Sequence, residues 1–266
     1  MNILQCKILV EMNRIFGWKD ADPCLLNQLL NLDKAVVIFP HTARIDMVTV
    51  YSYIMANPIL KNKFWTVMRG KKGDYESIIR CFMNPLYVSE SRGHGTVQQI
   101  VDQLRKEDQY WLLIAPEGSR DPKPWKSGYF AIAKELEIPI VIFGFDFSDH
   151  RIKCPIIIRP DWPSIKKGKG LLKIQYPQLD TKDREWIGKL DSSMEVSSEE
   201  VQNKIQAILQ RAMGTIVPLY PEASHVPVRE GNPSSLPESR KIFLFIVFVL
   251  ILILIVWIAT RRNYSD

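Results

Sequence analysis

A chain of 266 residues, 46% of them hydrophobic, is long enough for one globular domain with a sizeable core plus appendages. Its 35 basic against 29 acidic residues and pI near 9.0 suit an anionic substrate or membrane surface, but the excess is too small to argue for nucleic acid. The four cysteines, Cys6, Cys24, Cys81 and Cys154, have neither CxxC pairing nor metal-ligand spacing, which argues against a disulfide or zinc framework and points to a reducing compartment.

The first stretch with helical spacing carries Leu4, Ile8, Met12 and Ile15, with Phe16 and Trp18 close behind. It fits a helix packed on the core or one lying on a membrane, and Glu11, Asn13 and Arg14 interrupt it too early for a cleavable signal peptide. Residues 35–39 (AVVIF) form a short β-branched and aromatic run cut off by Pro40, which predicts a buried strand. A helix over 45–55 ends at Asn57-Pro58. A strand at 64–68 precedes the basic stretch 69–73, and a helix over 78–83 leads through Asn84-Pro85 to a strand at 86–88. After the polar, glycine-rich residues 89–95 comes an amphipathic helix over 96–106, with Val97, Ile100, Val101 and Leu104 on one side. A second very apolar strand at 111–114 is followed by a helix over 129–136 and a buried strand over 138–144. Strands and helices alternating in this way predict an α/β fold with a mixed, largely parallel sheet flanked by helices.

Beyond residue 150 the pattern turns to hairpin strands at 155–158 and 171–174, separated by Lys166-Lys167-Gly168-Lys169-Gly170. Such a turn is ordinarily solvated; facing a bilayer, each charge would favour anionic lipid by about 1 kcal/mol. Ser197 and Glu200 form a capping-box pair that starts a helix burying Val201, Ile205, Ile208 and Ala212. Prolines 218, 221, 227, 233 and 237 then mark an extended linker. Residues 242–260 are uncharged throughout and about 28 Å long as a helix, close to the thickness of a bilayer's hydrocarbon core. Arg240-Lys241 and Arg261-Arg262 flank them almost equally, so the stretch reads as a single transmembrane helix whose flanks do not set its orientation. Its place six residues from residue 266 resembles a tail anchor, which leaves the expected domain facing the cytosol. The resulting division is an amphipathic helix and lead-in at 1–33, a domain at 34–213, a linker at 214–241, the membrane helix at 242–260 and a short tail at 261–266.

Two polar clusters follow the most apolar strands. Pro40-His41-Thr42-Ala43-Arg44-Ile45-Asp46 follows the first, and Ala115-Pro116-Glu117-Gly118-Ser119-Arg120 follows the second. Both sit where strands hand over to helices, at the carboxyl edge of the sheet where ligand crevices form. Five residues along a regular helix leave two side chains about 140° apart, so His41 and Asp46 can pair only across a strand–helix turn. A carboxylate bonded to one imidazole nitrogen leaves the other free as a general base, and no GxSxG elbow supplies a nucleophile. An arginine at 120, beside exposed backbone N–H groups, suits a phosphate.

Taken together, His41-x-x-x-x-Asp46 and Glu117-Gly118-Ser119-Arg120 resemble the HxxxxD and EGTR hallmarks of the glycerolphosphate/lysophosphatidate acyltransferase family. The likeness continues through Trp125-Lys126-Ser127-Gly128-Tyr129-Phe130-Ala131-Ile132-Ala133 and Ile138-Pro139-Ile140-Val141, covering about residues 8–150. The resemblance implies that His41 and Asp46 activate the acceptor hydroxyl and that Glu117, Gly118, Ser119 and Arg120 help bind the acceptor's phosphate. Arg92 and Lys126 join them as candidate substrate-binding residues. It implies a lysophospholipid or glycerol phosphate acceptor at a lipid bilayer and, as donor substrate, an acyl thioester of coenzyme A or acyl carrier protein. No metal or further cofactor is implied. Three positions depart from the family pattern: Ala43 stands where a serine is usual, Ser119 replaces threonine, and Glu90 occupies the place of a motif arginine, with Arg92 two residues on. The first and third keep two alternatives open: a catalytically silent, tail-anchored lipid-binding or scaffold protein, and an acyltransferase whose acceptor is not a phospholipid.

Overall fold

The computed structural model describes residues 28, 31–39, 64–69, 84–88, 95–118, 123–191 and 197–216. The helices expected over 3–18, 45–55 and 78–83, the proline linker and the apolar segment 242–260 lie outside the described residues. Among the described residues no helix is long and apolar enough to cross a membrane.

The described strands are β1 (Lys34–Ile38), β2 (Phe64–Arg69), β3 (Asn84–Val88), β4 (Tyr110–Ile114), β5 (Ile140–Ile142), β6 (Gly144–Asp146), β7 (Arg151–Lys153), β8 (Ile157–Pro160) and β9 (Leu172–Gln175). The helices are α1 (Gly95–Leu104), α2 (Gly128–Leu136), α3 (Trp162–Lys166), α4 (Thr181–Asp191) and α5 (Ser198–Met213). Seven strands form one sheet in the order β3-β2-β4-β1-β5-β8-β9, parallel from β3 to β5 and antiparallel at the last two pairings. The expected mixed, largely parallel α/β sheet is therefore present. β1 and β4 lie mid-sheet, and their unbroken apolar runs follow from burial on both faces.

Alternate residues along these strands serve two sides. Val36, Ile38, Leu112, Ile140, Ile142 and Ile158 share one core with Ile100, Leu104, Ile132, Ala133, Ile205 and Ile208 of the helices. Ala35, Val37, Trp111, Leu113 and Val141 alternate with them and are equally buried. On that second side Phe64 meets Trp111 edge-on at 5.3 Å, and Trp111 Nε1 donates to the Leu32 carbonyl at 2.8 Å. The connections β3–α1–β4 and β4–α2–β5 each step over one strand in the same direction, so the right-handed rule puts both helices on one face. They pack against each other there.

The strand expected over 138–144 is two pieces. Pro139 has no N–H to give to a ladder, although its carbonyl accepts from Val36 N–H at 2.9 Å. Pairing of β5 with β1 stops at Ile142, and Gly144 begins a separate ladder with Lys153. The β6–β7 hairpin thus continues beyond the edge at which the parallel strands end.

Ser197 caps α5 as expected, accepting from Glu200 N–H at 3.4 Å. Near its start Lys134 Nζ donates to Ser198 Oγ at 2.7 Å, and near its end Arg211 pairs with the buried Asp183 of α4 at 2.9 Å. The lysine turn before β9 lies level with Glu137 and Ile138, where Lys166 Nζ meets Glu137 Oε1 at 2.7 Å and Trp162 Nε1 donates to the Ile138 carbonyl at 3.0 Å. That is the edge where the parallel strands begin, opposite the edge that carries Glu117.

Candidate functional site

β1 and β4 are neighbours in parallel register, with Ile38 beside Ile114, so both release the chain at the same sheet edge. The ladder reaches one residue further, because Phe39 N–H donates to the Ile114 carbonyl at 3.3 Å. His41, Asp46, Arg92, Ser119 and Arg120 lie outside the described residues. Of the sequence-derived site residues, Glu117, Gly118 and Lys126 are described.

Past β4 the chain turns at once. Gly118 N–H donates to the Ala115 carbonyl at 2.9 Å, closing a four-residue turn, and Gly118 has φ of 68°. A side chain in that left-handed conformation costs roughly 1 kcal/mol or more, so the glycine is there for the backbone. The turn folds Glu117 inward, where it is 5% exposed. Its Oε1 accepts from Trp125 Nε1 at 3.1 Å. A carboxylate out of water needs donors, and the indole supplies one.

The returning segment is tied to the turn a second time, since Lys126 N–H donates to the Pro116 carbonyl at 3.0 Å. The Lys126 side chain itself is exposed. Lys126 is therefore held through its backbone, with its side chain turned to solvent at this edge. Trp125 is buried and meets Tyr129 edge-on, with ring centroids 5.9 Å apart and an interplanar angle of 86°. The sequence motifs did not single out Trp125 as a partner of Glu117. The available signal was its setting: a large aromatic inside Asp121-Pro122-Lys123-Pro124-Trp125-Lys126, an otherwise polar stretch where a solvated loop has no use for an indole.

Tyr129 belongs to the core at 1% exposure, and among the described residues its hydroxyl has no hydrogen-bond partner. Burial pushes its phenol pKa well above the usual tyrosine value, so it stays neutral. Removing an unsatisfied buried hydroxyl while keeping the ring relieves a desolvation cost. Tyr129→Phe should accordingly raise stability by about 1 kcal/mol, seen as a thermal midpoint higher by about 2–4 °C. A lower midpoint would mean that the hydroxyl does have a partner.

Cys154 is fully buried, its thiol faces the Ile156 carbonyl at 3.9 Å, and burial pushes its pKa far up. A thiol held protonated in this way is no nucleophile, so Cys154 is unsuited to carry an acyl group. Among the described residues no group of three His, Cys, Asp or Glu side chains is placed to hold a metal ion.

The arrangement therefore offers a turn at a parallel-strand edge, a carboxylate fixed in orientation, and an exposed lysine beside it. An acyltransferase family model matches residues 26–145, which span β1 to β5 and the Glu117 turn. No curated protein matches the chain.

Proposed function

We propose, from the premise that residues 26–145 belong to the glycerol-3-phosphate/1-acylglycerol-3-phosphate acyltransferase family, that this protein moves a fatty acyl group from a thioester to the hydroxyl of a lysophospholipid or glycerol phosphate. Acyltransferase activity in general follows from the family. The acceptor, the donor and the residues that act are our own reading.

The supporting observation is the pairing of β1 with β4. His41 follows the end of β1 by three residues in sequence, and Glu117 follows the end of β4 by three. The two strands are adjacent and parallel with those ends in register. In this reading His41, oriented by Asp46, removes the proton from the acceptor hydroxyl. The oxygen attacks the thioester carbonyl, the tetrahedral intermediate expels the thiolate as the C–S bond breaks, and the imidazolium returns the proton to sulfur. Glu117 to Arg120 hold the acceptor's phosphate, with Arg120 as the clamp and Arg92 and Lys126 as further cations at the acceptor. The apolar segment 242–260 keeps the domain at the bilayer where acceptor and product reside, on the cytosolic side, in keeping with the scattered cysteines.

The test is transfer from labelled acyl-CoA to a panel of lysolipids and glycerol phosphate by the purified full chain. Transfer to a phosphate-bearing acceptor is expected. Absence of transfer to any acceptor would favour the silent scaffold, the reading that Ala43 and Glu90 support. In the same assay Arg120→Ala should raise the acceptor KM about 10- to 100-fold, the loss of a charge-assisted contact to phosphate. An unchanged KM would remove Arg120 from the site.

A further inference from the structure

Glu117 has three side-chain torsions, and left alone its carboxylate would sample many directions at the mouth of the sheet. A hydrogen bond to the Trp125 indole restrains it. The indole of Trp125 donates to Oε1 at 3.1 Å from within the protein. An indole N–H is a donor only and does not titrate, so it specifies an acceptor at that point at every working pH.

The indole is fixed in its turn. Tyr129, in the first turn of α2, closes on it edge-on at 5.9 Å. Lys126 N–H binds the Pro116 carbonyl at 3.0 Å, so the residue after Trp125 is tied to the residue before Glu117. The Ser127 carbonyl accepts from Phe130 N–H at 3.0 Å and Ala131 N–H at 3.1 Å, joining the same segment to the helix. Glu117 is thereby referenced to α2, a rigid element, and its orientation does not depend on the loop alone.

We propose that Trp125 is a positioning residue for the acceptor: its indole N–H holds the Glu117 carboxylate in the orientation that a phosphate-bearing acceptor meets. The role rests on the acyltransferase reading for its substrate, and on the Trp125–Glu117 contact for its geometry. It acts on binding of the acceptor, leaving the proton transfer at His41 to proceed at its own rate.

Trp125→Phe keeps an aromatic ring against Tyr129 and deletes the donor. In the full chain it should weaken lysophosphatidate binding about tenfold, measured by titration below the lipid's micellar concentration without acyl donor. In turnover the acceptor KM should rise by a similar factor, with kcat and the KM for acyl-CoA within about twofold. The coupling is read from a double-mutant cycle: in a Glu117→Ala background, Trp125→Phe should change acceptor binding by less than about twofold. A purely structural role for the indole would lower the thermal midpoint and weaken binding equally in both backgrounds, which overturns the inference. So does lysophosphatidate affinity that is unchanged in Trp125→Phe, or absent in the wild type. If no acceptor is turned over but Trp125→Phe still weakens binding in the Glu117-dependent way, the catalytic reading fails and the positioning role stands.

Discussion

His41→Ala should lower acyl transfer by about three orders of magnitude while leaving the thermal midpoint within about 2 °C of wild type. General-base removal of a proton accounts for roughly 10²–10⁴ in rate, and in the proposed mechanism the same imidazole also returns the proton to the leaving thiolate. An acceptor hydroxyl is a poor nucleophile until deprotonated, whereas a thioester is already activated at its carbonyl. The loss should therefore fall on kcat, with the KM for acyl-CoA nearly unchanged. Asp46→Asn should act in the same direction, because its carboxylate is assigned the tautomer and orientation of the ring. Full activity in His41→Ala would dismiss the proposed base, and a collapsed midpoint would assign the histidine to the fold.

The largest stability effect is expected at Asp146, which is completely buried at the end of β6. Its carboxylate accepts from Ser148 N–H at 2.9 Å, Asp149 N–H at 3.3 Å and the Ser148 hydroxyl, and it pairs with Lys153 Nζ at 2.7 Å. One side chain thus satisfies both the turn and the far strand of the β6–β7 hairpin. Asp146→Ala strands two backbone donors and leaves Lys153 its longer pairing with Asp149 at 3.9 Å. Removing one partner of a buried pair costs about 3–5 kcal/mol, and the lower end applies because Lys153 is 25% exposed and can turn to water. A loss of about 3 kcal/mol is expected, or about 6–12 °C in the midpoint for a domain of this size. Asp146→Asn keeps an oxygen for the turn's N–H groups and loses the charge, so it should cost about half as much. Equal losses for Ala and Asn would locate the whole effect in the Lys153 pair. A loss below about 0.5 kcal/mol for Asp146→Ala would show that the hairpin does not depend on it.

What could be read from the chain beforehand follows from where each signal resides. β1, β4 and β5 are legible because strands covered on both faces must be apolar without a break. The start of α5 is legible because Ser197 and Glu200 are three residues apart and cap locally. α4 had no such signal. Its sequence, TKDREWIGKLD, buries Ile187 and Asp183 on a largely charged helix, and it is held by Arg211, which packs over the Trp186 ring at 5.2 Å. Those partners lie about twenty-five residues apart, out of range of any local pattern. Asp146 was similarly opaque, since an aspartate near a turn looks solvated until the hairpin closes around it.

The site divides along the same line. Glu117 and Gly118 were visible as a turn after an apolar strand, and the positive φ at Gly118 gives the physical reason for that glycine. Trp125 was not visible as a partner of Glu117, because the hydrogen bond closes eight residues along the chain through a turn whose shape no residue type encodes. Strand order was beyond local reading too, since it arises from crossovers and not from the composition of any one strand.

The central place of β1 has a kinetic side. It is the first described strand to be synthesised, yet its neighbours are Tyr110–Ile114 and Ile140–Ile142, with Lys34 paired to a residue 76 positions later and Val36 to one 104 positions later. At about 5–20 residues per second, Lys-Ala-Val-Val-Ile leaves the ribosome roughly 4–15 s before β4 is available to pair with it. During that interval an apolar, β-prone segment has both ladder edges open. Closing such distant pairings also makes the folding step itself slow. The amino-terminal half of the domain therefore depends on protection while it is being made, and a truncated product ending before residue 110 should aggregate instead of folding in part.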